Sequence, residues 1–223
     1  MNNINREKIK DINCEIVSLG LNCLPRVILT RWGLKKTKDE GELSLPFDLA
    51  VFETFEVAKN LSSDFEFFFE NFRYTKENKI FGKKYWAKEP DLIKFIHEKS
   101  FGKYDKSKLI EMYTNRIKNF RDTVQKDAPI LFLQILGDAQ DANKTYDELL
   151  KLRGSRPFKL VIVDTQDIVI DSYPEINVLK LPYPDKNYQK AWWKRKNYNS
   201  KQGIEFEKKI IDFCIEKIKE FNP

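Results

Sequence analysis

Four runs of apolar residues dominate this sequence, and they constrain its fold more than any other feature. They occupy residues 14–19, 129–136, 158–164 and 176–181, and they are rich in Val, Ile and Leu. The apolar residues follow one another with little polar alternation, which is typical of strands that are covered on both faces. Helical patterns lie between the first three runs and after the last, so we expect a layered α/β domain with a mostly parallel central sheet flanked by helices.

Amphipathic stretches predict the helices of this domain. Residues 106–126 carry apolar side chains at spacings of three or four, which is the signature of a helix with one apolar face. Shorter helices are predicted at residues 24–32 and 145–152, and a closing helix at residues 203–221. The predicted apolar stripe of the closing helix consists of Ile204, Ile210, Ile211, Cys214, Ile215 and Ile218.

The length of 223 residues predicts a single domain over residues 1–223, with an adequate core. Within it, we expect residues 50–105 to be a Phe-rich, insertion-like region, with irregular helix and loop over residues 52–81. Cys14, Cys23 and Cys214 lack CxxC spacing and the chain has one histidine, so we expect neither a disulfide framework nor a structural zinc site. The sequence has no glycine-rich phosphate loop, and we expect no cofactor.

The charge balance and the apolar runs bear on partners and location. Lys and Arg number 40 against 34 Asp and Glu, a net charge of +6, which fits an ordinary solvated surface better than nucleic-acid binding. The first ten residues are polar and charged, without the apolar core of a signal peptide. No apolar stretch approaches the length of a membrane span. We therefore expect a cytoplasmic protein.

Polar residues follow the first predicted strand, at the edge where open α/β sheets place their sites. The segment reads Ser18-Leu-Gly20-Leu-Asn22-Cys23, and Pro25 fits the first turn of the helix that follows it. The positive end of a helix lowers the pKa of a thiol, so Cys23 is a candidate nucleophile. Asn22 and the nearby amides would stabilise an oxyanion. The alternative is that Cys23 is a small buried hydrophobic residue.

His97 and Asp48 complete a candidate triad with Cys23. His97 is the only histidine, so any pairing of thiol and imidazole must use it, and Asp48 would orient the imidazole. The alternatives are that His97 is a surface or satisfied core residue and that Asp48 caps the next helix.

The opening of the chain resembles a bacterial family of unknown function whose members are labelled papain-like cysteine peptidases. The resemblance rests on residues 16–23, on Trp32-Gly-Leu34 and on Pro46-Phe-Asp48, and it extends over residues 14–152. Tyr113-Thr-Asn-Arg116 stands at the family's arginine helix, while Gln134 replaces an expected Arg. The resemblance implies catalytic Cys23, His97 and Asp48 and substrate contacts at Ser18, Gly20, Asn22 and Arg116.

Two enzyme classes offer partial parallels. Papain-like enzymes have an antiparallel sheet and the chain order Cys, His, then Asn or Asp, whereas here Asp48 precedes His97 and the predicted sheet is parallel. The fold would be Rossmann-like or like that of the SGNH hydrolases, which carry a nucleophilic serine after the first strand. Both parallels imply acyl transfer through a thioester at Cys23, as a hydrolase or acyltransferase acting on a small-molecule, peptide or glycan-linked substrate.

A basic aromatic segment supports a non-enzymatic alternative. Trp192-Trp193-Lys-Arg-Lys196 interleaves rings with cations, a pattern that stacks on sugars and neutralises anions. On this hypothesis the chain is a module that binds a glycan or polyanion around Trp192. In the enzyme hypothesis, Trp192 and Trp193 line the substrate groove. A third interpretation packs one Trp into the core and leaves the cations solvated.

Overall fold

The computed structural model describes residues 4–20, 22–49, 51–52, 54–66, 68–69, 93–94, 106–136, 142–166 and 172–221. The strands are β1 Glu15–Ser18, β2 Val51–Phe52, β3 Ile93–Lys94, β4 Ile130–Leu136, β5 Phe158–Asp164 and β6 Asn177–Lys180. The helices are α1 Ile4–Glu7, α2 Leu24–Arg31, α3 Thr54–Ser62, α4 Lys106–Val124, α5 Ala142–Arg153, α6 Lys186–Ala191, α7 Arg195–Tyr198 and α8 Lys201–Lys219. A 3-10 turn covers Lys38–Glu40.

The central sheet confirms the predicted α/β class. Its four strands run parallel in the order β1-β4-β5-β6, with Ser18 beside Leu133 and Gln134 beside Ile162. The two-residue strands β2 and β3 pair antiparallel in a separate small sheet. Since all four central strands point the same way, their carboxyl ends share one edge, and the chain segments that leave β1, β4, β5 and β6 begin there.

Helices cover both faces of the sheet, which explains the uninterrupted apolar runs of the sequence. On one face, Phe132 and Ile162 belong to a core that includes residues of α3, α4 and α5. On the other face, Leu133 and Val163 belong to a second core that includes residues of α2 and α8. Each strand residue in the middle of the sheet therefore meets apolar side chains whichever way it points, and the layers are helix, sheet and helix.

The closing helix α8 departs from its predicted stripe at two residues. Ile204 is 43% exposed, so it does not belong to the buried face. Glu207 is fully buried, and it accepts hydrogen bonds from Trp32 Nε1 (2.7 Å), Tyr188 Oη (2.8 Å) and Arg31 Nη1. Three donors on two oxygens offset the cost of burying the carboxylate, and they tie α8 to the end of α2.

In the described part of the chain, no helix is both long enough and apolar enough to cross a membrane. The prediction of one domain over residues 1–223 remains a prediction, because most of residues 70–105 lie outside the described residues.

Candidate functional site

Cys23 lies where the sequence predicts it, at the N-terminal cap of α2. The chain leaves β1 at Ser18, and Gly20 adopts a positive φ of 68°, a conformation that favours glycine because it has no Cβ. The Asn22 side chain then accepts a hydrogen bond from Leu24 N at 2.8 Å. Pro25 has no N–H group and needs no acceptor. The first two backbone positions of α2 therefore have no unpaired donor before any ligand binds.

The thiol of Cys23 is buried. Its residue is 2% exposed and packs in the apolar core between the sheet, α2 and α8. Burial raises the pKa of the Cys23 thiol from 9.0 to about 11. The sequence predicts a lowered pKa from the helix end, so the structure reverses the direction. At neutral pH the sulfur is a thiol, and a nucleophilic role requires a base that removes its proton.

Asp48 fastens a turn of the chain to the end of β1. Ser18 Oγ donates a hydrogen bond to Asp48 Oδ1 at 2.5 Å, and Leu45 N donates to Asp48 Oδ2 at 2.9 Å. Asp48 N donates in return to Leu45 O at 3.2 Å, which closes the turn on itself. Asp48 is 1% exposed. Asp48 therefore bonds to Leu45, earlier in the chain, and to Ser18 at the end of β1. These are not the bonds of a residue that caps the following helix.

Four charged side chains lie at this turn, and three of them, Arg26, Lys35 and Glu42, are not among the predicted site residues. Arg26 Nε lies 4.0 Å from Asp48 Oδ2, and Arg26 Nη1 lies 3.9 Å from Glu42 Oε1. Lys35 Nζ lies 2.5 Å from Glu42 Oε1 and donates to Ile16 O, also at 2.5 Å. Two cations thus balance two carboxylates. Arg26 could have been found from the sequence by its place in the first turn of α2, close to Cys23. Lys35 and Glu42 could not, because they lie in a stretch with the composition of an ordinary charged loop.

His97 lies outside the described residues, so its pairing with Cys23 stays a prediction. Arg116 is described: it lies on α4, is 8% exposed, and its guanidinium stacks over the Tyr113 ring with the carbon 4.5 Å from the ring centroid. Because α4 and α2 cover opposite faces of the sheet, Arg116 and Cys23 are on opposite sides of it.

The basic aromatic segment folds as the two short helices α6 and α7 with a turn between them. Trp192 is 8% exposed and packs in the core beside α2 and α8, whereas Trp193 is 58% exposed. The two rings meet edge to face with centroids 5.7 Å apart. Residues 194–196 are exposed. This is the third interpretation of the sequence, with one Trp in the core, and it leaves Trp193 as the accessible ring.

Among the described residues, no group of three or more His, Cys, Asp or Glu side chains is placed to hold a metal ion.

Comparison with known proteins identifies the family of this chain. A family model described as "Putative papain-like cysteine peptidase (DUF1796)" matches residues 14–164, which is more than half of the chain and includes Ser18, Cys23, Asp48 and Arg116. No curated protein and no solved structure matches the chain. The matched segment begins just before β1 and ends with β5, so it spans the candidate site and the centre of the sheet. The chain belongs to this family.

Proposed function

We propose that this protein is a cysteine-dependent hydrolase or acyltransferase that acts through a thioester at Cys23. The observation that carries the proposal is the place of Cys23 at the N-terminus of α2, directly after the carboxyl end of β1, in a chain of a cysteine peptidase family. An acyl group on a peptide or glycan-linked substrate is the target that fits this chemistry. We also propose that the protein acts in the cytoplasm.

The proposed reaction begins with a neutral thiol. Because the pKa of Cys23 is about 11, His97 acts as a general base and takes the proton while the sulfur attacks the acyl carbon. A tetrahedral oxyanion forms, His97 returns the proton to the leaving group, and the thioester remains on Cys23. Water, or an acceptor hydroxyl or amine, then attacks the thioester carbon while His97 takes its proton. The C–S bond breaks, the acyl product leaves, and His97 returns the proton to the Cys23 sulfur.

The described geometry narrows the choice of oxyanion donor. Leu24 N is already bonded to Asn22 Oδ1, and Pro25 has no N–H, so the first two positions of α2 do not supply it. We assign the oxyanion to Asn22 Nδ2, which shares a side chain with the engaged oxygen, together with nearby backbone amides. Asn22 would then be fixed by Leu24 before substrate arrives, which is the preorganisation that this kind of stabilisation requires.

Asp48 acts as a positioning residue in this proposal. A carboxylate offers about four acceptor sites, and the described bonds to Ser18 and Leu45 use two of them. A remaining site would accept the imidazole N–H of His97. Ser18, Gly20 and Arg116 are the proposed substrate contacts.

Site-resolved alkylation tests the proposal. The rate at which iodoacetamide modifies Cys23 is followed against pH by peptide mass spectrometry, in the wild type and in His97→Ala. General-base assistance contributes about 100-fold or more, so we expect the Cys23 rate at pH 7.5 to fall by that factor in His97→Ala, whose profile rises only toward pH 11.

Cys14 is the internal control, since burial raises the pKa of its thiol to about 12 and its rate should not respond to His97. Identical Cys23 profiles in the two proteins, both rising near pH 11, would remove the triad and leave Cys23 as a packing residue. A loss of reactivity with His97 would justify a screen of esters, thioesters and peptides.

One observation favours a second candidate function, a module that binds a glycan or polyanion. The Trp193 ring is 58% exposed and is followed directly by the exposed cations Lys194, Arg195 and Lys196. An exposed ring beside cations suits stacking on a sugar with neutralisation of its anionic groups. The core position of Trp192 moves the centre of this candidate site to Trp193.

A further inference from the structure

Three fully buried polar side chains lie at the carboxyl end of the sheet, on the face opposite Cys23. Gln134 of β4 and Thr145 of α5 are 0% exposed, and Asp164 at the end of β5 is 2% exposed. Gln134 and Asp164 alternate in register with Phe132 and Ile162, whose side chains belong to the core under α3, α4 and α5. The two polar side chains therefore point into that same layer.

Thr145 faces the same layer from above. It lies three residues after Ala142 and four before Leu149, so the three share one side of α5. Ala142 and Leu149 both belong to the core on this face, which places the Thr145 hydroxyl toward the sheet. The first turn of α5 follows the carboxyl end of β4, so Thr145 lies at the level of the strand ends rather than deep in the layer.

In the described part of the chain, four of the five polar atoms of these side chains have no hydrogen-bond partner. Within the described structure, Gln134 Oε1, Gln134 Nε2, Thr145 Oγ1 and Asp164 Oδ2 are buried and make no hydrogen bond. The other oxygen of Asp164 accepts from Gln166 N at 2.9 Å. Buried polar atoms in folded proteins are almost always paired, and each exception calls for an explanation. Four such atoms on one face of one sheet edge indicate a shared missing partner.

The register brings two of these side chains within reach of one small group. Gln134 pairs with Ile162, and Asp164 lies two residues further along β5 on the same face. Such diagonal neighbours have Cα atoms roughly 7–8 Å apart, a gap that a long Gln side chain and one bound polar group can span. Ser18 pairs with Leu133, so Gln134 is also one residue beyond the level at which β1 ends.

We propose that Gln134, Thr145 and Asp164 form a binding site for a neutral polar group, a carboxamide or a hydroxyl, of a ligand. Asp164 Oδ2 and Gln134 Oε1 need donors, Gln134 Nε2 needs an acceptor, and the Thr145 hydroxyl serves either way. Amides and alcohols both donate and accept, whereas a carboxylate would face Asp164 with a like charge. If Cys23 is the nucleophile, the bound group is a polar substituent of the substrate. Only this identification of the ligand as the substrate rests on the proposed function.

Gln134→Leu separates a ligand site from a cluster satisfied by structural water. A ligand site leaves its polar atoms unpaired in the free protein, so we expect Gln134→Leu to raise Tm by about 2 to 4 °C. The matched control is Gln125→Leu, the same change at an exposed glutamine, for which we expect no comparable rise. A lower Tm in Gln134→Leu would mean that water already satisfies the amide, and it would overturn the proposal.

Binding is measured with acetamide and glycerol as probes, and with acetate as the charged counterpart of acetamide, by NMR chemical-shift titration of the full chain. We expect either or both neutral probes to bind the wild type, with the dissociation constant raised at least about tenfold in Gln134→Leu and in Asp164→Leu. Acetate should bind more weakly than acetamide. No neutral-probe binding, or equal binding in wild type and variants, would overturn the proposal.

The Cys23→Ser variant keeps the two proposals apart. It removes the thiol on the other face of the sheet and should bind the neutral probes as the wild type does. A failed alkylation test with intact probe binding would thus count against the thiol chemistry alone.

Discussion

At the scale of single residues, Asp48 joins three parts of the molecule through one carboxylate. Its oxygens hold the end of β1 at Ser18, the turn at Leu45 and, at 4.0 Å, the guanidinium of Arg26 in α2. Ser18, Arg26 and Asp48 contribute polar side chains, and burying such a side chain without a partner would cost folding free energy. The position of the candidate nucleophile at the start of α2 therefore depends on a residue that is 25 positions away in the chain.

Replacing Asp48 by Ala should destabilise the fold. The change leaves Arg26 without one of its two carboxylates and the Leu45 amide without its acceptor, so we expect the free energy of unfolding to fall by about 3–5 kcal/mol. Urea denaturation followed by circular dichroism measures it.

The matched control is Asp122→Ala, because Asp122 is exposed on α4 and pairs with Lys118 one turn before it. We expect that change to stay within about 0.5 kcal/mol. Should the two variants prove equally stable, the carboxylate of Asp48 would have no structural part in the turn. If Asp48→Ala does not fold, Ser18→Ala removes one of the same bonds and should cost about 1–3 kcal/mol.

At the scale of elements, the strands are more predictable from sequence than the contacts between helices. Residues 158–164 form β5 with the predicted bounds, because a short apolar run without polar alternation favours a doubly covered strand. The start of α2 was also predictable, since Pro25 is a local signal for the first turn of a helix. Glu207 was not, because its donors Arg31 and Trp32 are about 175 residues away and helical periodicity treats a charge as solvent-facing.

The candidate site likewise has a part that the sequence predicts and a part that it does not. Local sequence places Cys23 at a helix start, but the pKa of its thiol depends on how the sheet, α2 and α8 enclose it, and that enclosure is a product of tertiary packing. The same holds for Arg26, Lys35 and Glu42, which balance one another through contacts that no single stretch of sequence reveals.

The junction between α7 and α8 yields an element-scale prediction. Gly203 lies in the first turn of α8, and a Cβ there would be 2.2 Å from the Asn197 carbonyl oxygen. Alanine favours a helix by about 1 kcal/mol over glycine, yet we expect Gly203→Ala to lower the free energy of unfolding by about 1–3 kcal/mol, because backbone must move to admit the methyl group.

Lys201→Ala in the same turn is the control, since Lys201 is exposed and alanine there changes little. Thermal unfolding of both variants measures the difference. A Gly203→Ala protein as stable as the wild type would show that α7 can shift away from α8 without loss.

At the scale of the whole molecule, a net charge of +6 is spread over a surface rich in both signs. Long-range attraction to a polyanion is then modest, and the binding hypothesis depends on the local segment at Trp193. We expect a heparin oligosaccharide, if that hypothesis holds, to bind with an affinity that falls as salt rises and that drops about tenfold in Trp193→Ala.

Leu43→Ala is the control for this titration, because Leu43 is also 58% exposed but has no ring to stack. Isothermal titration calorimetry at two salt concentrations gives both affinities. Equal heparin affinity in the two variants, or none in the wild type, would leave the binding hypothesis without support.

The ammonium of Lys35 also determines how the sheet ends. In the described part of the chain, β1 has a neighbouring strand on the β4 side only. Glu15 and Leu19 donate their N–H groups toward β4, so Ile16 between them presents its carbonyl to the outside, and Lys35 occupies it. An extended segment of another molecule that paired with β1 would have to displace this buried cation in order to bond the Ile16 carbonyl. The strand that leads to Cys23 is thereby protected against edge-to-edge polymerisation.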